Sequence, residues 1–446
     1  MKFHFFRFLI ILIYSSLSFL IFFNISLLSI MENDSAAYVG YLNCFERCGA
    51  FNTIGDHICH NWYSLGYPAF MVCIRSLLGK SFWPVIFIQI FLAILIIFLI
   101  FKIASYFFSR KVANLSMILA SFSLGILLYP YFILTESLLC FLLLFGFERF
   151  VSYLFSGKLS SLILSALLFG LSIVVKSAAI FFVPFLAIIL LFVKQGFSKK
   201  IINAAIFLFF FLLPVFGYVL RNQQVYGYFY LKSVDKVNLY GFYLPEVYAE
   251  SENIPFDDAN KYVRSLIHVD NFASGEGYKE VHELFCKTII KHPFLAVKIW
   301  MKNVMKTFLG LYTNHLKVLL YPEIKDNNGY CSFFSLQGSF IQKVWKYLSF
   351  HTNSKFLVLL SIFEVIWNVL RYLFVLIALS FLFLKRKFLL FVLFSSYIFY
   401  FSIISGHAGC ARFRFLFEPI LIILTAVGIF ILYNFVFGKK EEIFLK

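Results

Sequence analysis

Apolar residues fall into long continuous runs along this chain, and the polar residues collect between them. Runs at about 8–30, 82–107, 113–131, 133–154, 160–175, 177–194, 201–220, 355–384, 387–405 and 413–437 predict helices. About 20 apolar residues suffice to cross a hydrocarbon core roughly 30 Å thick. The runs do not alternate in the short segments of a barrel, so helices are the spanning element. Two stretches interrupt the series, one at 31–81 and a longer one at 221–354. The first holds an amphipathic segment from Tyr67 to Leu78, after the turn Gly66-Tyr67-Pro68. The second is broken up by Pro245, Pro255, Pro293 and Pro322. Its segment from Pro293 to Leu320 has apolar residues at helical spacing together with Lys298, Lys302 and Lys306. That segment reads either as an interfacial helix or as a further span. The expected architecture is an all-α polytopic membrane protein of about ten to twelve transmembrane helices with two outer loops. Its parts are a membrane module at 1–220, an outer loop at 221–354 and C-terminal transmembrane helices at 355–446.

Composition agrees. The 446 residues are 61% hydrophobic and 14% charged, with mean hydropathy +0.87, against about 45–50% apolar in a soluble domain. The formal charge is +17. No nucleic-acid motif or long basic run accompanies that charge, and Lys and Arg instead mark one side of the membrane. Lys2, Arg7, Arg110, Lys111, Lys158, the stretch 194–200, Lys385, Arg386, Lys387, Lys439 and Lys440 all fall on that side. By the positive-inside rule it is the cytoplasm, with both termini there. The first run is too long for a signal-peptide core and lacks a small-residue cleavage site, so it reads as a retained span. No cytoplasmic loop is long enough to form a domain. An enzyme of this design therefore works on the outer face, where an activated substrate arrives as a membrane lipid.

Charges that break the topology rule carry the chemistry. Asp34 follows the first run, in Met31-Glu32-Asn33-Asp34-Ser35-Ala36-Ala37-Tyr38. Glu136, Lys176, Arg221, Arg412 and Arg414 are expected at the same membrane depth. Each could pair with lipid headgroups or snorkel to the interface. Together, two carboxylates and four cations suggest a shared polar cavity. Arg and Lys suit a phosphate or diphosphate, and a carboxylate beside them can deprotonate an attacking hydroxyl. Asp34 is the candidate base, the alternative being a cap for a helix that starts at Ser35.

In order along the chain, several elements resemble the GT-C superfamily of polyprenyl-phosphate-dependent glycosyltransferases. The resemblance is to its bacterial branch, similar to protein O-mannosyltransferases and the lipid A aminoarabinose transferase. The elements are Asp34…Tyr38, Gly66-Tyr67-Pro68-Ala69-Phe70, Thr135-Glu136 and Lys176-Ser177. Further along come Arg221-Asn222 with Gly227-Tyr228-Phe229, then His292-Pro293, then Arg412-Phe413-Arg414…Pro419. Lys176 stands where the family more often has Arg, and no Pro follows it. The resemblance implies an inverting transfer of a sugar from a polyprenyl phosphate to an acceptor hydroxyl on a lipid, glycan or protein. Asp34 would be the base, and Lys176, Arg221, Arg412 and Arg414 would receive the phosphate. Glu136 would orient a substrate or hold a divalent cation; no other cofactor is implied. Glu32, Tyr38, His60, Tyr67 and Asn222 are further cavity candidates, His60 with an equally open surface role. An O-antigen-type polymerase or ligase, or a lipid or sugar transporter or flippase, are the alternatives. A transporter would gather its charges at the midplane.

Of the eight cysteines, Cys44, Cys48, Cys59, Cys286, Cys331 and Cys410 fall on the outer side, which favours disulfides. Cys44, Cys48, Cys59 and His57 or His60 form an alternative zinc set, without the paired spacing such sites usually show.

Overall fold

The computed structural model describes residues 2–49, 51, 63–193, 196–227, 229, 231, 238–267, 275–321, 336–349, 352, 354–438 and 442–444. Among these, six helices are long and apolar enough to cross a membrane. They are α4 (Trp83–Phe107), α7 (Glu136–Ser156), α10 (Phe197–Tyr226), α17 (Lys355–Leu384), α18 (Phe388–Ile403, extended by a 3-10 turn to His407) and α20 (Glu418–Val436). The protein is a multi-pass membrane protein, and the other predicted runs are helical but shorter or broken. α1 (Lys2–Phe22) ends well before the apolar run does. α8 (Leu159–Val175) and α9 (Phe182–Leu191) form the tight pair around Lys176. The run at 113–131 is bent by 52° between α5 (Arg110–Ser121) and α6 (Leu124–Leu128) with its following 3-10 turn. The cause is local. Ser116 and Ser121 hydroxyls donate back to the Val112 and Met117 carbonyls, an arrangement that bends helices. Ser123 then leaves the helical path and donates to Glu418.

Helices α4, α7, α8 and α10 pack in sequence, and α20 packs against α5 and α17. One apolar core runs through all of them. Between the last turn of the first run and α4 lie α2 (Asn33–Cys48) and the amphipathic α3 (Gly66–Leu78). α3 buries Tyr67, Pro68, Met71 and Ile74 and exposes Leu77 and Leu78. The long loop folds into α11 (Leu244–Glu252), α12 (Phe256–Ser265), α13 (Gly275–Lys291), α14 (Pro293–Leu309), α15 (Tyr312–Leu320) and α16 (Phe340–Ser349).

The segment from Pro293 to Leu320 is not a continuous span. It divides into α14 and α15 at an extended Gly310. Its lysines face acids on α11: Lys306 and Lys302 lie 3.0 and 3.2 Å from Glu246, and Lys302 and Lys298 lie 2.8 and 3.1 Å from Glu250. The lysines of this amphipathic segment are therefore the glue between two helices of the loop. The Trp300 indole fastens the same helix to the membrane part, donating to the Ile403 carbonyl at 2.8 Å.

The disulfide expectation is not met for Cys48, Cys286 and Cys410, which are free thiols, as are Cys73 and Cys140. Cys59, Cys331, His57 and His60 lie outside the described residues. Among the described residues no three His, Cys, Asp or Glu side chains are grouped to hold a metal ion.

The Gly-Tyr-Pro turn has a steric reason. A Cβ on Gly66 would sit 2.7 Å from the carbonyl of Val174 and 2.8 Å from the Val175 nitrogen, so α3 meets the end of α8 backbone to backbone. Gly66→Ala forces those backbones apart at a cost of about 1–3 kcal/mol. The purified protein in detergent should show a thermal midpoint several degrees below wild type; an unchanged midpoint would mean that the contact is not tight.

Candidate active site

Four of the six predicted charged residues meet at one end of the helices. Each arrives on a different element. Asp34 lies in the first turn of α2, whose start is fixed by a reciprocal cap. The Glu32 side chain accepts from the Ser35 backbone, and the Ser35 hydroxyl accepts from Glu32 N at 2.8 Å. The cap is thus Glu32, and Asp34 is left free to face inward, near the positive end of the helix dipole. Ser35 also donates to the Ile133 carbonyl at 2.9 Å, which ties α2 to the segment leading into Glu136. Glu136 starts α7, Lys176 ends α8, and Arg412 lies on the four-residue helix α19 (Ala411–Arg414) just before α20.

The side chains form one alternating row. Arg412 Nη2 lies 2.7 Å from Asp34 Oδ2, Arg412 Nε 3.3 Å from Glu136 Oε1, and Lys176 Nζ 3.2 Å from the same Glu136 oxygen. Glu136 is buried; the other three are partly exposed to a cavity. Tyr63 completes the row by donating to Asp34 Oδ1 at 3.2 Å. Burial alone would raise the Asp34 pKa, but the Arg412 and Lys176 cations and the two hydrogen bonds outweigh it. They hold the carboxyl below its ordinary 3.8. Burial and the adjacent Asp34 charge push the Tyr63 hydroxyl well above its ordinary range, so Tyr63 stays a neutral donor.

The cavity has a volume of about 980 Å3. Glu32, Asp34, Tyr38, Tyr63, Lys176 and Arg412 line its polar side. Asn314 and His315, in the first turn of α15, face it as well. The His315 ring is held neutral, its pKa brought down to about 3 by burial first and by Arg412 and Arg414 second. Much of the remaining wall is apolar, with Phe181, Phe242, Phe340, Leu348, Tyr400 and Phe401.

Several predicted site residues lie elsewhere. Arg414 is fully buried, and its guanidinium donates to the carbonyls of Phe308 and Gly310 at 2.8 Å each. Arg221, near the end of α10, reaches its neighbour Asn222 at 2.9 Å and the Phe51 carbonyl at 3.0 Å. Asn222 donates to the Leu231 carbonyl at 3.0 Å. That pair organises loop backbone, and neither residue lines the cavity. Tyr67 is buried behind the wall, with its ring against Tyr38 and its hydroxyl donating to Gln89 at 2.9 Å. His60 lies outside the described residues. The Glu136 oxygens face two cations and the Thr135 hydroxyl, and the Arg412 guanidinium separates them from Asp34. This set does not fit a divalent cation.

Sequence reasoning missed Tyr63, Asn314 and His315. It also missed a buried set behind the cavity: Glu364 and Arg371 on α17 with Glu418 on α20. Ionisable residues inside otherwise apolar runs were the available signal for Glu364 and Arg371.

Residues 64–218 match the family model described as dolichyl-phosphate-mannose-protein mannosyltransferase. The archaeal oligosaccharyltransferase AglB from Archaeoglobus fulgidus, in complex with an inhibitory peptide and a dolichol-phosphate, shares the fold with TM-score 0.51 and 10% identity. The match covers 96% of this chain and 51% of AglB, so the chain spans about half the length of that protein. ArnT from Cupriavidus metallidurans bound to undecaprenyl phosphate matches with TM-score 0.40 and 12% identity, over 94% of this chain and 76% of that one. No curated protein sequence matches significantly.

A depressed carboxylate pKa contributes stability that is present above the unfolded value and is lost as pH falls through the folded value. The difference in thermal midpoint between wild type and Asp34→Asn should therefore stay constant from neutral pH down to about 4 and shrink only below 3.8. A difference that shrinks already near pH 6 would place the Asp34 titration too high for this ion pair. Residues 64–218 thus resemble the mannosyltransferase family model, and they lie within a fold similar to that of AglB.

Proposed function

We propose that this protein transfers a sugar from a polyprenyl-phosphate donor to an acceptor hydroxyl on the outer face of a bacterial plasma membrane, with inversion at the sugar carbon and with Asp34 as base. The observation that carries the reading is the row Asp34–Arg412–Glu136–Lys176 at the wall of a large, mostly apolar cavity. An apolar wall accommodates a prenyl chain, and cations at its polar end receive the phosphate. The charges gather at one end of the helices rather than at mid-membrane, which favours transfer over transport.

The chemistry follows from the row. At rest Arg412 is bonded to Asp34 at 2.7 Å. An incoming phosphate competes for that guanidinium and for Lys176. As Arg412 turns toward the phosphate, Asp34 loses its strongest partner, and burial, the opposing influence, raises its basicity. The acceptor hydroxyl then gives its proton to Asp34 while its oxygen forms the new bond to the sugar carbon. The bond from that carbon to the phosphate oxygen breaks, and the electron pair stays on the phosphate, stabilised by Arg412 and Lys176. Tyr63 keeps one Asp34 oxygen fixed, so the other points at the hydroxyl. Glu136 holds both cations in place without competing for the proton. In this scheme both termini lie in the cytoplasm, in keeping with the Lys and Arg distribution.

The test uses membranes carrying wild type or Asp34→Asn at matched expression, supplied with polyprenyl-phosphate sugars and envelope acceptors, and follows sugar release from the carrier. Removing a general base typically costs on the order of 10²–10⁴-fold, and a loss in that range is the expected result for Asp34→Asn. Equal release by both proteins would show Asp34 to be structural. No release by wild type with any donor would overturn the transferase reading.

A further inference from the structure

Arg412 and Arg414 are two positions apart on α19, about 200° around a helix, so one faces the cavity and the other faces inward. The inward partner set is dense. Arg414 donates to the Phe308 and Gly310 carbonyls, which end α14. It also lies 3.4 Å from Glu364 and 3.5 Å from Glu418, and stacks over the Tyr312 ring at 4.2 Å. Glu364 in turn accepts from both Tyr312 N and Thr313 N at 2.8 Å each, which caps the start of α15. Glu418 pairs with Arg371 and accepts from Ser123 at 3.1 Å. A single buried ion network thus joins three things: the end of α14, the start of α15 and the helix that carries Arg412. The joint itself is tight. A Cβ on Gly310 would meet the Ala411 nitrogen at 2.7 Å.

We infer that Arg414 and Glu364 are positioning residues of the transfer reaction: their buried pair fixes Arg412 against Asn314 and His315 across the cavity wall. The inference rests on the reaction proposed above. Stability alone does not call for such a pair, because well-packed apolar residues often replace a buried ion pair at no loss. What apolar residues cannot supply is direction. The guanidinium holds two carbonyls, and the carboxylate holds two N–H groups, each at a hydrogen-bonding distance that sets one backbone against the other. A displacement of about 1 Å at a reacting group can cost on the order of 10²-fold in rate. Arg412 lies two residues from one end of this clamp, and His315 two residues from the other.

The experiment measures kcat and KM for whichever polyprenyl-phosphate sugar supports turnover by wild type, in detergent-purified protein with the same acceptor. Glu364→Gln keeps the shape but loses a charge and one backbone acceptor. Arg414→Lys keeps the charge but loses the planar fork. Each is expected to lower kcat tenfold or more while donor KM stays within threefold. The double variant Glu364→Met, Arg414→Met removes both charges at once and leaves Arg371 with Glu418, so it guards against misfolding of the single variants. It should keep a near-wild-type thermal midpoint and still show the loss in kcat. Wild-type kcat in a folded double variant would overturn the inference and leave the transferase reading intact. A wild-type protein that releases no sugar would overturn both.

Discussion

A charge placed in or beside a hydrocarbon layer must have a partner, and that requirement organises this molecule. Glu136, Glu364, Arg371, Arg414 and Glu418 are almost fully buried, and each sits in an ion pair. Because breaking a buried pair is far costlier than never having it, these residues hold their helices in one arrangement. The cavity occupies the place where pairing is incomplete in burial: Asp34, Lys176 and Arg412 are matched in charge but still reachable from the open side. The interior network is closed, the cavity row is accessible, and α19 carries one arginine of each kind.

The membrane character and the row itself were legible in the sequence for a physical reason. In a chain so apolar, an ionisable residue at a helix end is conspicuous, and Asp34, Glu136, Lys176 and Arg412 each stand beside a long apolar run. Topological arithmetic then puts them on one level. Arg221 and Arg414 passed the same filter and do other work, because depth is a single coordinate. A helix position two residues away points to the opposite side, and an arginine at the end of α10 can spend its fork on a loop carbonyl and a neighbouring amide side chain. Sequence also could not foresee that Lys298, Lys302 and Lys306 would be answered by Glu246 and Glu250, since the partners lie on another helix about 50 residues earlier. The lysine spacing was visible, but the acids it meets are fixed only by the folding of the loop.

Asn314 and His315 were invisible for a further reason. Their exposure to the cavity depends on the break at Gly310, where one helix ends and the next begins at a new angle. Read as one amphipathic helix, the segment would direct them to a different face. The short apolar helices α8 and α9 show the same limit in milder form: composition announces an apolar run, while the turn that presents Lys176 is decided by packing against Gly66 on α3.

The row Asp34–Arg412–Glu136–Lys176 contains two negative and two positive groups. The row itself is therefore electrically balanced rather than cationic. In the proposed transfer, an arriving lipid phosphate would not be drawn into an empty positive well; it would have to win a cation from a carboxylate already holding it. In the proposed scheme the same competition would run backward once the sugar had left. On shedding its proton, Asp34 would again bid for Arg412, and the spent phosphate would face a rival for its own partner. Under the proposed transfer, balanced charge would make the site self-clearing: the proposed base would also evict the by-product, so that a lipid carrier need not be bound tightly to be used.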